Sequence, residues 1–76
     1  MEMRIKSLFA RILKTDESLV CDSTTPASLI NWDSIQHMFL VSGFEEEFSI
    51  DIDPEEVVEM YRDYSTFKRV ILSKMA

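Results

Sequence analysis

The sequence predicts an all-α fold, a small bundle of three longer helices with one short helix inserted before the last. Apolar residues recur at helical spacing along most of the chain, the pattern of amphipathic helices. One glycine and two prolines in 76 residues give few signals for the tight turns of a β-sheet protein. A chain this short forms one domain with an economical core. We expect helices at about residues 2–14, 33–48, 54–60 and 64–75.

The first predicted helix carries a single apolar stripe with basic residues beside it. The stripe has the spacing i, i+3, i+4, i+7 and i+8, and its members are Ile5, Leu8, Phe9, Ile12 and Leu13. Such a helix could lie on a membrane surface. Five apolar residues in an acidic protein are more typical of a face that packs against a core, and we expect that arrangement.

Residues 15–32 have no helical periodicity and are rich in Ser, Thr, Asp and Asn, so they form a long connection. Unstructured loops of this length are uncommon within a compact domain. Two apolar pairs, Leu19 with Val20 and Leu29 with Ile30, are expected to anchor the connection across the helices. We therefore expect an ordered loop after the first helix.

The second predicted helix begins at Asp33 or Ser34, because either side chain can cap the free N–H groups of a first turn. One side of this helix is expected to face the core, and His37 lies in the middle of that side. Its apolar residues are Met38, Leu40, Val41, Phe44 and Phe48. The opposite side carries Ile35, Phe39, Ser42, Gly43 and Glu46. Exposed Ile35 and Phe39 near the acidic run 45–47 predict a docking surface. The alternative is that single exposed apolar residues are ordinary and that the acidic run is a solvated face.

The rest of the chain predicts an extended connector and two helices. Ile50 and Ile52 of the connector are expected to reach the core. Asp53 and Pro54 begin a short helix. Its inner side is expected to consist of Val57, Val58 and Met60. Asp63 caps the last helix. The stripe of that helix is Tyr64, Phe67, Val70, Ile71 and Met75.

Charge and hydropathy exclude several classes of partner. The net charge of -6 repels phosphate backbones and anionic membrane surfaces, and it favours partners that present Lys and Arg. We therefore expect no nucleic acid partner. No apolar segment approaches the ~20 residues needed to span a bilayer, and the first residues lack the pattern of a signal peptide. We expect a cytoplasmic monomer that does not insert into membranes.

The sequence shows no constellation for catalysis or metal binding. His37 is the only histidine and Cys21 the only cysteine, which excludes an internal disulfide and a metal cluster built on these residue types. The segment 51–62 has Glu at its sixth position and Arg at its twelfth, so it is not an EF-hand. No base is placed to activate Ser34 as a nucleophile. We expect no catalytic residue and no metal, a hydrogen-bonded His37 at the edge of the core, and a Cys21 without function.

Ser34 lies beside Asp33 at the N-terminus of a predicted helix. It is better suited to being modified than to attacking a substrate. The segment 29–35, Leu-Ile-Asn-Trp-Asp-Ser-Ile, is similar to the Asp-Ser-Leu signature of the acyl carrier protein superfamily, which includes aminoacyl and peptidyl carriers. The segment 44–48, Phe-Glu-Glu-Glu-Phe, resembles the end of that family's second helix. The order of the helices and the long first loop extend the resemblance over nearly the whole chain.

The resemblance implies a covalent cofactor and a set of partner enzymes. Ser34 would receive 4'-phosphopantetheine from coenzyme A through a phosphopantetheinyl transferase, and Asp33 would help to position that reaction. A loading ligase or transferase would place acyl or aminoacyl groups on the arm as thioesters for downstream synthases. The partner-facing residues would be Ile35, Gln36, Phe39, Ser42, Glu45 and Glu46. An acyl chain would enter a slot lined by His37, Met38, Val41, Phe44 and Met60.

Departures from the family's pattern favour a specialised pathway. Trp32 stands where a small residue is common, and Gln36 and Phe39 stand where carriers of primary fatty-acid synthesis often have acids. We therefore expect a discrete, non-catalytic carrier of a dedicated lipid, polyketide, nonribosomal or cell-surface polymer route. Within the family, the alternative is an aminoacyl or peptidyl carrier. Outside it, the alternative is an unmodified acidic helical module that binds a basic partner, which leaves Asp33 and Ser34 without a purpose.

Overall fold

The computed structural model of the protein describes residues 1–75. They form four α-helices, α1 (Glu2–Leu13), α2 (Ser34–Phe48), α3 (Pro54–Met60) and α4 (Tyr64–Met75), with a 3-10 turn (Glu17–Leu19) after α1. These residues contain no strand, and none of their helices has the length and apolar character that crossing a bilayer requires. The predicted all-α bundle is confirmed, with its short third helix. Each helix bound lies within one residue of its predicted position.

Aromatic rings form the centre of the core. Between ring centroids, Phe9 of α1 lies 5.0 Å from Trp32, 5.0 Å from Tyr64 and 5.1 Å from Phe67, in each case edge-to-face. Such pairs contribute about 0.5–1.5 kcal/mol each beyond the burial of their area. Phe67 also meets Phe44 of α2 at 5.0 Å. Rings from α1, α2, α4 and the first loop thus join these elements, and the predicted stripes of α1 and α4 face this core.

The long loop between α1 and α2 is ordered, as predicted, because side chains fasten it at several points. Val20, Leu29 and Trp32 are buried in the core. The Asn31 side-chain amide donates to the Leu13 carbonyl over 2.9 Å, which ties the loop to the end of α1. Only one member of each predicted apolar pair serves as an anchor, since Leu19 and Ile30 point into solvent. Immediate chain neighbours in a loop rarely point the same way.

The structure corrects the predicted inner faces of α2 and α3. Met38, expected in the core, is 57% exposed, whereas Phe44 is fully buried. At ~100° per residue, Met38 lies about 120° around the helix from Phe44 and cannot share its side. Val58, expected inside, is 75% exposed. Val58 follows Val57 directly, and consecutive helical residues point about 100° apart. Of these two valines, only Val57 therefore packs against the core.

Gly43 also differs from its predicted position on the free side of α2. A Cβ atom at Gly43 would lie 2.7 Å from the Cδ1 atom of Ile12 in α1. Carbon atoms that are not bonded pack at about 3.5–4.0 Å. The missing side chain therefore lets Ile12 lie directly on the backbone of α2, and Gly43 belongs to the contact between α1 and α2.

Ser49 ends α2 in the left-handed conformation, with φ 54° and ψ 49°. This conformation costs a residue with a Cβ atom about 1–2 kcal/mol, and glycine adopts it freely. We expect Ser49→Gly to raise the free energy of unfolding by about 0.5–1 kcal/mol, after allowance for the entropy that glycine adds to the unfolded chain. Urea denaturation measures the change. The matched control is Ser42→Gly, exposed in the middle of the same helix and expected to lower the same quantity by about 0.5–1 kcal/mol. A loss in both variants would contradict the prediction.

Candidate functional site

The first turn of α2 is built by Asp33, which leaves Ser34 accessible. Asp33 has an extended backbone, with φ −109° and ψ 179°, and it is the residue before the helix. Its Oδ1 atom accepts a hydrogen bond from the Gln36 backbone N–H over 2.8 Å. Its carbonyl accepts from the His37 N–H over 2.8 Å. Because Asp33 supplies the cap, the exposed Ser34 hydroxyl is not required for it.

A buried hydrogen-bond chain supports this turn from below. The Trp32 indole N–H donates to Nδ1 of His37 over 3.0 Å. The Nε2 atom of His37 lies 2.8 Å from the Val57 carbonyl. Since Nδ1 accepts, Nε2 carries the proton and donates to Val57, so the imidazole is neutral and both of its nitrogens are satisfied. This chain links the residue before Asp33 to α2 and then to α3, and it fixes the position of Ser34.

Burial lowers the pKa of His37, and the hydrogen bond to Val57 opposes that effect. The unfolded chain has a His pKa of about 6.5, so below that pH it binds a proton that the folded chain does not. The free energy of unfolding therefore falls as pH decreases from about 6.5 toward the lower folded pKa, by at most about 1.4 kcal/mol per pH unit. Urea denaturation between about pH 7.5 and 5.5 should show this slope in the wild type and a smaller one in His37→Gln. Equal slopes would assign the dependence to other groups.

The acidic run at the end of α2 divides into structural and solvent-facing members. The Glu45 carboxylate accepts from the Ile52 backbone N–H over 2.9 Å, so it holds the connector after α2. Glu47 pairs with Arg4 of α1 at 3.2 Å. Glu46 is exposed and forms no ion pair within residues 1–75. Of the two predicted partner-facing acids, Glu46 is the one that presents its charge to solvent.

The solvent side of α2 near Ser34 is unusually apolar. Ile35, Met38 and Phe39 have 68%, 57% and 59% of their surface exposed. Ser42 and Glu46 follow on the same side in the next turns. We call these five residues the docking face. Met38 thus lies on the same surface as Ile35 and Phe39, which the sequence predicted to be exposed. Gln36 lies at the edge of this surface and is half-buried.

Two adjoining surface clefts border this face. The larger, about 480 Å³, lies between α1 and α2, and its lining is Ile12, Lys14, Gln36, Phe39, Ser42, Gly43 and Glu46. The second, about 380 Å³, extends toward the residue before Ser34, and its lining is Leu13, Lys14, Ile30, Asn31, Asp33 and Gln36. Lys14 and Gln36 line both clefts. The two clefts therefore adjoin at Lys14 and Gln36, and their linings together extend from Asp33 to Glu46.

The residues predicted to line an acyl slot are tightly packed in this structure. His37, Val41, Phe44 and Met60 are 0–5% exposed, and none of them lines either of these clefts. Met38 lies on the outside. The hydrogen bond from His37 to Val57 joins α2 to α3 across the place where such a slot would open. An acyl chain could enter there only if α2 and α3 separated.

Two features of the site were not found by sequence reasoning. The sequence marks Trp32 only as an unusual residue before Asp33, yet Trp32 is 1% exposed and anchors the turn that carries Ser34. A tryptophan N–H needs an acceptor when it is buried, and the only histidine lies five residues later, which was the available signal. The contact of Gly43 with Ile12 had no comparable signal, because it joins two helices.

Comparison with known proteins places the fold. No protein-family model matches the chain. The structure is similar to the solution NMR structure of a holo acyl carrier protein from Geobacter metallireducens, with a TM-score of 0.84 and 18% sequence identity. The similarity covers 97% of this chain and 84% of that one. The chain therefore has the fold of the acyl carrier proteins.

Proposed function

We propose that the protein is a non-catalytic carrier whose Ser34 bears 4'-phosphopantetheine. The observation that supports this most directly is the position of Ser34, an exposed hydroxyl on the first residue of α2, in a fold shared with a holo acyl carrier protein. The thiol of the group would hold acyl or aminoacyl cargo as a thioester. The exposed Ser34 hydroxyl, which the helix cap does not require, then has a purpose.

The residues around Ser34 suit an attached phosphodiester. Asp33 occupies one N–H of the first turn of α2, that of Gln36. The remaining N–H groups at the helix start and the helix dipole favour a negative charge near this end. Below the turn, Trp32 and His37 keep Asp33 and Ser34 in a fixed position. Ser34 would thus present a linked group from a rigid platform.

The docking face suits enzymes that meet the carrier by a mixed surface. Ile35, Met38 and Phe39 offer apolar contact beside Ser34, and Glu46 offers charge to a basic partner. Complementary charge accelerates encounter more than it deepens affinity. The partners we propose are a phosphopantetheinyl transferase, a loading ligase or transferase, and downstream synthases. Modification by a coenzyme A-dependent enzyme implies a cytoplasmic site of action.

A specialised pathway is supported by the charge of this face. Gln36, Phe39 and Ser42 are uncharged, and Glu45 and Glu47 are engaged within the protein. Glu46 thus carries the free negative charge along this stretch of α2. Partners of this carrier would therefore need larger apolar contacts and fewer basic residues than a strongly acidic recognition helix requires.

Coexpression with a broad-specificity phosphopantetheinyl transferase tests the proposal. Intact mass should increase by one phosphopantetheine in the wild type and not in Ser34→Ala. The matched control is Ser42→Ala, another exposed serine of α2, which should be modified like the wild type. An unmodified wild type would favour an acidic interaction module, which the exposed Ile35 and Phe39 would serve equally well.

A further inference from the structure

The larger of the two clefts, between α1 and α2, is called the groove. Ser34, which carries the arm in the proposed function, lines neither cleft. The floor of the groove consists of Ile12, Phe39 and Gly43. Along the axis of α2, at ~1.5 Å per residue, Gln36 and Glu46 lie about 3 Å and 18 Å from Ser34. The adjoining cleft reaches Asp33, the direct neighbour of Ser34. A flexible chain attached to Ser34 can therefore pass Asp33 into the adjoining cleft and from there reach the groove.

The lining of the groove combines apolar residues with a few polar side chains. Ile12 and the exposed ring of Phe39 make the floor apolar, and Gly43, which has no side chain, lets Ile12 lie on the backbone of α2. The rim carries an ammonium group on Lys14, an amide on Gln36, a hydroxyl on Ser42 and, at the end far from Ser34, a carboxylate on Glu46. Lys14, which lines both clefts, provides positive charge at the end nearest Ser34. Small-molecule sites combine apolar walls with a few polar groups in the same way, at volumes of about 300–1,000 Å³.

We propose that this groove is the resting site of the phosphopantetheine arm, an inference that rests on the proposed function. The arm consists of a phosphodiester, a carbon with two methyl groups, two amides and a thiol. Lys14 suits the phosphodiester, Ile12 and Phe39 suit the methyl groups, and Gln36 and Ser42 suit the amides. The arm would lie along the outside of the bundle between deliveries.

Two other locations fit the structure less well. The interior between α2 and α3 is closed by the hydrogen bond of His37 to Val57 and by the packing of Met60. A side chain of a partner enzyme would suit the apolar floor. It would not account for the adjoining cleft at Asp33 or for the donors and acceptors along the rim of the groove. Attachment at Ser34 also gives the arm a high local concentration at the groove, which a separate partner lacks.

NMR spectroscopy of the apo and arm-bearing forms tests the inference. Both forms are prepared from the same protein, and intact mass establishes first that the arm is attached. In the arm-bearing form, we expect nuclear Overhauser contacts between the methyl groups of the arm and the Phe39 ring and Ile12 methyl groups. Backbone amide shifts should accompany them at Ser42 and Gly43. The variant Phe39→Ala should lose these contacts and shifts, whereas Ile35→Ala, also exposed on α2 but outside the groove lining, should retain them.

The outcomes separate this inference from the proposed function. If the intact mass shows that the transferase attaches no arm, both the proposed function and the groove site are overturned. With the arm attached, shifts confined to residues next to Ser34 would overturn the groove site alone. Contacts of the arm with Val57 or Met60 would place it in the interior and would also overturn the groove site. Shifts at Ser42 and Gly43 that arise only when the transferase is added would assign the groove to a partner instead.

Discussion

The variant Trp32→Ala is expected to lose about 3–5 kcal/mol of unfolding free energy, the range found when a buried large aromatic side chain is truncated. Trp32 is 1% exposed, and its ring contacts Phe9, Phe67 and Tyr61. Its removal also leaves Nδ1 of the buried His37 without a donor. A domain of this length has a free energy of unfolding of roughly 5–10 kcal/mol. The substitution would remove a large part of that stability, and urea denaturation followed by circular dichroism would measure it.

Two further variants separate packing from hydrogen bonding at this position. Trp32→Phe keeps an aromatic ring but cannot donate to His37, and we expect it to lose about 1–3 kcal/mol, the cost of an unsatisfied buried polar group. Ile30→Ala lies in the same loop and is 91% exposed, so its effect should stay within about 0.5 kcal/mol. If Trp32→Ala were as mild as Ile30→Ala, the ring cluster would not be what holds the loop.

The helices with one apolar side were predicted well from the sequence. In α1 and α4 the apolar residues form a single stripe, so helical spacing alone identifies the buried side. Helix α2 has apolar residues on both sides, and spacing cannot tell which of them is exposed. Met38 was therefore assigned to the core although it lies beside Ile35 on the outside. The ambiguity arises at the docking face, where surface apolar residues break the usual pattern.

The parts of the site that depend on distant contacts could not be predicted. Asp33 and Ser34 were found because a helix cap is local in sequence. The bond from His37 to Val57 joins residues 20 positions apart, and the ion pair of Arg4 with Glu47 joins residues 43 apart. Neither has a local signal. The sequence therefore located the exposed serine at the start of α2, but it did not distinguish the solvent-facing Glu46 from its engaged neighbours.

Asp33→Asn is expected to separate the two roles that Asp33 combines. Asparagine retains a side-chain oxygen that can accept from the Gln36 N–H, so the cap survives. The lost negative charge at the helix start costs only about 0.3–1 kcal/mol. If the carboxylate also positions the transfer reaction, its loss should slow arm attachment by about 10–100-fold, because a misplacement of about 1 Å can cost ~100-fold in rate. A time course of intact mass at limiting transferase gives the rate.

The variant Asp33→Ala completes this comparison, because it removes both the charge and the cap. It should be slow in arm attachment like Asp33→Asn, and it should also lose about 0.5–2 kcal/mol of unfolding free energy. Slow attachment in both variants with a stability loss only in Asp33→Ala would assign the charge to the transfer step and the oxygen to the helix. Attachment at the wild-type rate in Asp33→Asn, with a slow Asp33→Ala, would mean that Asp33 serves the reaction only by holding Ser34 at the start of α2.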